Sequence, residues 1–220
     1  MIDLVQPFWK PVTWTSFDVV KKVRSVTKVD KVGHAGSLDP FAEGILVLCL
    51  GKSTKRVSQL MDLEKEYVAV LKLGVTTDTL DPDGTVVETT PVPALSEGKI
   101  LKILDQFAGT IDQVPPMFSA LKVNGTRLYQ LARSGKTIPR NPRKVTIYKI
   151  ELIAWCPPDE IKMQVTCGKG TYIRSLAADL AQALNTVGHL TELERTRVGP
   201  YKKKDAIRMD QLASWTPIIA

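Results

Sequence analysis

The chain is poor in the residues that build disulfide frameworks, metal centres and membrane spans. Its three cysteines, Cys49, Cys156 and Cys167, form neither an even disulfide set nor a metal-ligand spacing. Two of them lie in apolar, strand-like runs and read as buried free thiols. With only two histidines and no paired cysteines, nothing in the sequence suggests a protein metal site. No apolar run approaches the ~18 residues of a membrane helix, and the start, MIDLVQPFWK, lacks a signal-peptide pattern, so a cytoplasmic protein is expected. Repeats, low-complexity tracts and convincing linkers are missing too. The 220 residues therefore read as one domain, 1–220, of α/β or α+β type.

Acidic residues are the minority charge. Lys and Arg number 30 against 23 Asp and Glu, a net +7 with pI near 9.3, which favours a polyanionic partner. The basic residues cluster at Lys21-Lys22-Val23-Arg24, Arg140 to Lys144, Arg195 to Arg197 and Lys202-Lys203-Lys204. They are spread along the chain, as a groove-shaped footprint requires, rather than gathered in a tail.

Local patterns place the elements. Residues 16–28 read as a helix with N-cap Ser16, and Phe17, Val19, Val20, Val23 and Val26 share its apolar arc. Ile45–Leu50 is an unbroken apolar run that suits a buried strand, and Tyr67–Leu73 suits another. Asp81-Pro82-Asp83-Gly84 is a turn within a hairpin. Ile100, Ile103, Leu104 and Phe107 recur at helical spacing, with Gly109 as the stop. Leu121–Val123 leads to an Asn124-Gly125 turn, a short helix through Leu128 and Leu131 closed by Gly135, and an exposed loop over 136–144. Strands over 145–155 and 161–167 precede a helix carrying Ile173, Leu176, Ala177, Leu180 and Leu184 on one stripe.

The most informative segment is Gly33-His34-Ala35-Gly36-Ser37-Leu38-Asp39-Pro40-Phe41-Ala42-Glu43-Gly44. A single carboxylate sits in a Gly- and Pro-rich turn directly before a buried strand, held by a scaffold yet reachable by a ligand. Three further segments join it: Glu64-Lys65-Glu66-Tyr67, Gly170-Thr171-Tyr172-Ile173-Arg174 running into Asp179-Leu180, and Lys10-Pro11-Val12-Thr13-Trp14-Thr15-Ser16. Together they resemble the TruB family of pseudouridine synthases across residues 8–205. The family writes the first segment G-H-x-G-T-L-D-P-x-A-x-G, with Ser37 here where Thr is usual. Thr13 stands where the family has Gly, so a positive φ there would strain the loop. Two look-alikes fail. Six residues, ILVLCL, separate Gly44 from Gly51-Lys52-Ser53 where a phosphate-binding loop has four. A calcium loop centred on Gly84 would put Thr90 where a Glu is needed.

The resemblance implies an α+β pseudouridine synthase fold: a mixed, mostly antiparallel sheet with flanking helices and a central catalytic cleft. It implies conversion of uridine to pseudouridine in the T-loop of tRNA, at position 55 by the family's convention, on a flipped-out nucleotide. That reaction is redox-neutral and calls for no metal or other cofactor. Asp39 takes the role of nucleophile, on base or ribose, Tyr67 stacks on the base, and Arg174 pairs with Asp39 and keeps it ionised. His34, Tyr172, Leu193 and Lys10 take substrate-binding places: His34 fills the stack vacated by the flipped base, Tyr172 and Leu193 line the uracil pocket, and Lys10 braces it. Residues 116–144 correspond to an RNA-gripping insertion, and no C-terminal RNA-binding (PUA-like) domain is expected. The partner is tRNA, with no membrane and no obligatory protein partner, and the protein is expected to be a monomer. A non-catalytic RNA-binding or tRNA-folding module, or a synthase for a uridine in another RNA, stand as alternatives.

Overall fold

The structure, a computed structural model, describes residues 3–123 and 125–215. In chain order the elements are β1 (Leu4–Lys10), α1 (Ser16–Thr27), β2 (Val32–His34), β3 (Glu43–Leu50), α2 (Val57–Met61) and β4 (Lys65–Leu73). There follow β5 (Val75–Thr77), β6 (Val86–Thr89), α3 (Glu97–Gln106), β7 (Gly109–Gln113), β8 (Lys122–Val123), β9 (Thr126–Arg127) and α4 (Leu128–Arg133). The last are β10 (Arg143–Cys156), β11 (Glu160–Cys167), α5 (Ile173–Ala183), β12 (Gly188–Val198) and β13 (Tyr201–Lys202). The class is α+β, with a mixed, mostly antiparallel sheet. The described residues form two compact units, one from 3–68 and 193–215, the other within 69–192.

The first unit is organised by β3. Its register with antiparallel β1 runs from Leu4↔Leu50 to Lys10↔Gly44, while β2 pairs with the far end of β3. The run is apolar without alternation because both of its faces are covered. Leu46, Leu48 and Leu50 pack with Phe8 and with Val19, Val20 and Val23 of α1; Ile45, Val47 and Cys49 pack with Trp9, Ala35, Leu60 and Val198. Fully burying each such side chain contributes roughly 1.5–3 kcal/mol, so β3 is the most heavily anchored segment of the unit. At its start β3 meets β12 in parallel, through Glu194↔Glu43 and Arg195↔Gly44.

Helix α1 begins one residue earlier than its sequence suggests. Thr15, not Ser16, is the N-cap: its side chain accepts from the Asp18 N–H, and Asp18 returns a bond from the Thr15 N–H at 3.0 Å. Ser16 is thereby freed to face inward with Val19, Val20 and Val23, while Phe17 lies 55% exposed and Val26 37% exposed. The apolar arc is narrower than expected because Ser16 occupies part of it.

In the second unit β10 pairs antiparallel with β11 and β7, and β4 lies next to β11. The part of β4 from Ala69 to Leu73 alternates strictly, with Ala69, Leu71 and Leu73 buried. The β5–β6 hairpin encloses the 81–84 turn, as its residues predict. Asn124 lies outside the described residues, but β8 and β9 flank it in antiparallel register. Cys49 and Cys167 are buried, whereas Cys156 is exposed. Among the described residues no helix is long and apolar enough to cross a membrane.

Candidate active site

In the first unit the loop before β3 is tied down on both sides of Asp39. The Ser16 hydroxyl accepts from the Leu38 N–H at 2.8 Å and donates to the Leu38 carbonyl at 3.1 Å. The Pro40 carbonyl accepts from the Thr13 N–H at 2.8 Å and from Lys10 Nζ at 3.3 Å. Arg195, only 1% exposed, holds the two flanks together: Nε donates to the Ile45 carbonyl at 2.6 Å, and its two terminal nitrogens to Ser37 at 3.1 Å and Gly36 at 3.2 Å. Gly44 permits this approach, since a Cβ there would sit 2.4 Å from the Arg195 carbonyl oxygen. The half-buried Asp39 therefore stands on a backbone whose neighbouring carbonyls are already committed.

Arg195 corrects one expectation. Arg195 to Arg197 does not form an open basic patch: Arg195 is buried, and Arg197 pairs with Glu64 and, at 3.5 Å, with Glu66. The sequence hides this because a buried arginine and an RNA-facing one look alike in composition. The parallel register with Gly44 reveals the difference.

Lys10 is also fully buried. Besides Pro40, its ammonium donates to the carbonyls of Pro11 at 2.9 Å and Trp14 at 2.6 Å. Burial pushes its pKa down to about 8, the Asp39 carboxylate opposes that shift, and Arg195 adds to it. It braces two loops against each other, and its polar end is directed at backbone rather than at a ligand. Thr13 has φ 69, the left-handed conformation that makes glycine the easier residue at this place.

Tyr67 is buried on β4, on the face opposite Glu66, whose carboxylate accepts from the Thr196 hydroxyl at 2.7 Å. Leu193 is buried on β12. The half-buried His34 closes β2 and has a buried Nδ1 without a hydrogen-bond partner among the described residues. Burial, reinforced by the Arg195 charge, lowers its pKa and so favours the neutral ring. A neutral imidazole here suits a space-filling role better than an ionic one.

The second unit carries Tyr172 and Arg174. Although it lies in the first turn of a helix, Arg174 is only 3% exposed. One terminal nitrogen donates to the Thr79 carbonyl at 2.6 Å and lies 3.3 Å from the Asp81 carboxylate; the other donates to Phe118 at 2.8 Å. Asp81 is itself buried in the hairpin turn, its carboxylate accepting from the Thr79 hydroxyl and from the Asp83 N–H at 3.1 Å. The turn expected at 81–84 is thus also the cradle of Arg174, a function its turn chemistry does not announce. Tyr172 is fixed through its backbone by the buried Gln113, which accepts from its N–H at 2.8 Å and donates to its carbonyl at 3.1 Å. Among the described residues no group of three or more His, Cys, Asp or Glu is placed to hold a metal ion.

The family description "TruB family pseudouridylate synthase (N terminal domain)" matches residues 24–173, and "tRNA pseudouridylate synthase B C-terminal domain" matches 174–217. These matches define the class: pseudouridylate synthases, isomerases that convert uridine to pseudouridine. Within that class the chain belongs to the TruB family. The "tRNA pseudouridine synthase B" of Clostridium perfringens (strain SM101 / Type A) is 50% identical over 204 residues, 93% of this chain and 69% of that protein. Its namesake in Phocaeicola vulgatus is 44% identical over 215 residues, 94% and 91% of the two chains. Among solved structures, a chain of "Crystal Structure of a Cbf5-Nop10-Gar1 Complex" superposes with TM-score 0.75 at 31% identity over 96% of this chain. The match spans about half of that longer chain, 54%.

Proposed function

We propose that this protein isomerises uridine to pseudouridine in the T-loop of tRNA, at position 55, with Asp39 as the nucleophile on a flipped-out nucleotide. The observation that carries the assignment of Asp39 is its loop. Leu38 and Pro40 on either side, and Gly36 and Ser37 before it, are each bound by a side chain from a distant element. A nucleophile needs such preorganisation, whereas a turn carboxylate with no chemistry to perform does not. The names of the relatives from C. perfringens and P. vulgatus support tRNA as substrate.

In the proposed cycle an Asp39 oxygen bonds to the bound nucleotide and the N1–C1′ glycosidic bond breaks. Uracil rotates while held, C5 bonds to C1′, and the bond to Asp39 breaks, which returns the free carboxylate. The C5 proton leaves and N1 gains one, so no electrons enter or leave. Arg174 pairs with Asp39 through its planar guanidinium fork and positions the carboxylate. Tyr67 stacks on the base, Tyr172 and Leu193 line its pocket, and His34 fills the gap in the RNA stack. Lys10 is a positioning residue behind the loop.

The 116–144 insertion grips the RNA. Its β8–β9 hairpin leads into α4, where the guanidiniums of Arg127 and Arg133 lie 5.9 and 5.5 Å from the Tyr129 ring centre. That mixture of cation and aromatic ring suits RNA bases and phosphates. The protein acts as a monomer without an obligatory protein partner, which light scattering of the protein with and without tRNA would check.

Carbodiimide mapping of an unmodified tRNA transcript tests the reading. One new pseudouridine in the T-loop with wild type, and none with Asp39→Asn, is the expected result. Product from Asp39→Asn removes Asp39 from its role. Tight tRNA binding by wild type without any product favours the binding-module alternative.

A further inference from the structure

Helix α1 places Phe17, Lys21 and Arg24 at i, i+4 and i+7 in a stripe on its solvent side, and Lys28 caps the helix just beyond them. All four are exposed, and Lys21 Nζ lies 4.8 Å above the Phe17 ring. Lys21, Arg24 and Lys28, with Ser25, Val29 and Asp30, line an open groove of about 520 Å³. Three cations face one carboxylate within it. The other nearby acid, Asp18, makes only an exposed 3.8 Å pair with Lys21, an interaction of little energetic weight.

Runs of surface charge are usually just solvated, but two features separate this one. Lys28 caps the helix with φ 56, in the left-handed conformation that helices commonly assign to glycine. A long cation stands where a residue without Cβ would fold more easily. The stripe also begins beside the candidate nucleophile, because Ser16, the first residue of α1, holds Leu38 by two hydrogen bonds. From there it runs away from the loop for roughly 16 Å at 1.5 Å per residue.

We infer that this stripe binds the sugar–phosphate backbone of the RNA strand whose nucleotide is presented to Asp39, with Lys21, Arg24 and Lys28 each facing phosphate. The inference rests on the proposed activity and adds a second grip, separate from the 116–144 insertion. A strand anchored here is held on one side of the nucleotide while that nucleotide is withdrawn from the stack.

Binding of an unmodified tRNA transcript is measured from 0.05 to 0.5 M KCl for wild type and for Lys21→Gln/Arg24→Gln/Lys28→Gln. A control, Lys102→Gln/Lys149→Gln/Lys162→Gln, removes the same charge from exposed positions elsewhere. Loss of three phosphate contacts lowers the slope of log affinity against log salt by about 2–3, and weakens binding on the order of 100-fold at 0.1 M salt. The control stays near wild type in affinity, slope and kcat. Lys28→Gly raises the melting temperature yet gives up about 1 of the slope. Equal affinity and slope in the α1 and control variants, with wild type forming pseudouridine, overturns the surface. Absence of product from wild type instead overturns the proposed activity.

Discussion

Thr13→Gly is expected to stabilise the protein although it removes a side chain. Thr13 adopts φ 69, and a residue with a Cβ in that left-handed region loses ~1–2 kcal/mol relative to glycine. Against this, glycine gives the unfolded chain more freedom, a loss of ~0.4–1 kcal/mol. The position is exposed, so no cavity is left, and the N–H bond to Pro40 is retained because glycine keeps its amide. The net gain is about 0.5–1 kcal/mol. For a chain of this size that raises the melting temperature by roughly 1–4 °C. Thr13→Ala keeps the Cβ and most of the strain, and should stay within a few tenths of a kcal/mol of wild type. Calorimetry and urea unfolding of the three proteins side by side decide the matter. A Thr13→Gly protein no more stable than Thr13→Ala would refute the reasoning, since the two differ at the one atom to which the strain is attributed.

Arg195→Lys keeps the buried charge but loses the fork that reaches both Ser37 and Gly36. It should lower kcat at least about tenfold while tRNA affinity holds, with a stability loss on the order of 1–3 kcal/mol. A kcat within twofold of wild type in single-turnover assays would show that the Asp39 loop does not depend on it. Burial raises the Asp179 carboxyl from its ordinary 3.8 to about 6. The native state therefore holds this proton more tightly than the unfolded chain does. Its contribution is fully present below pH ~4 and is lost as pH rises through about 6, by at most about 3 kcal/mol. Asp179→Asn should accordingly match wild type near pH 3.5, exceed it at pH 7, and flatten the stability profile between; parallel profiles would count against this account.

The sequence was legible where a short pattern carries its own physics. ILVLCL is buried on both faces, and it reads so because nothing polar interrupts it. The 81–84 turn is recognisable because Pro, Asp and Gly each favour it for local reasons. Less was legible where a partner lies far along the chain. Ser16 reads as the cap of α1, and only the approach of Leu38 shows that it is drawn inward instead. Asp81 reads as a turn residue until Arg174, 93 positions later, is found beside it. Arg195 reads as surface charge until β12 is laid against β3. The motif singles out Asp39 as the candidate, but it does not show what holds Asp39 in place.

Those long separations also bear on how the protein is made. Arg195 closes its bonds across 150 to 159 positions, to residues that leave the ribosome far ahead of it. Between Val68 and Leu193 the whole of the second unit is synthesised, which takes about 6–25 s at ordinary elongation rates. Throughout that interval the Asp39 loop lacks one of its clamps, and no nascent chain shorter than 195 residues can complete it. The Asp39 loop is therefore finished only after the whole second unit has been made, whatever the order in which β1, α1 and β3 collapse.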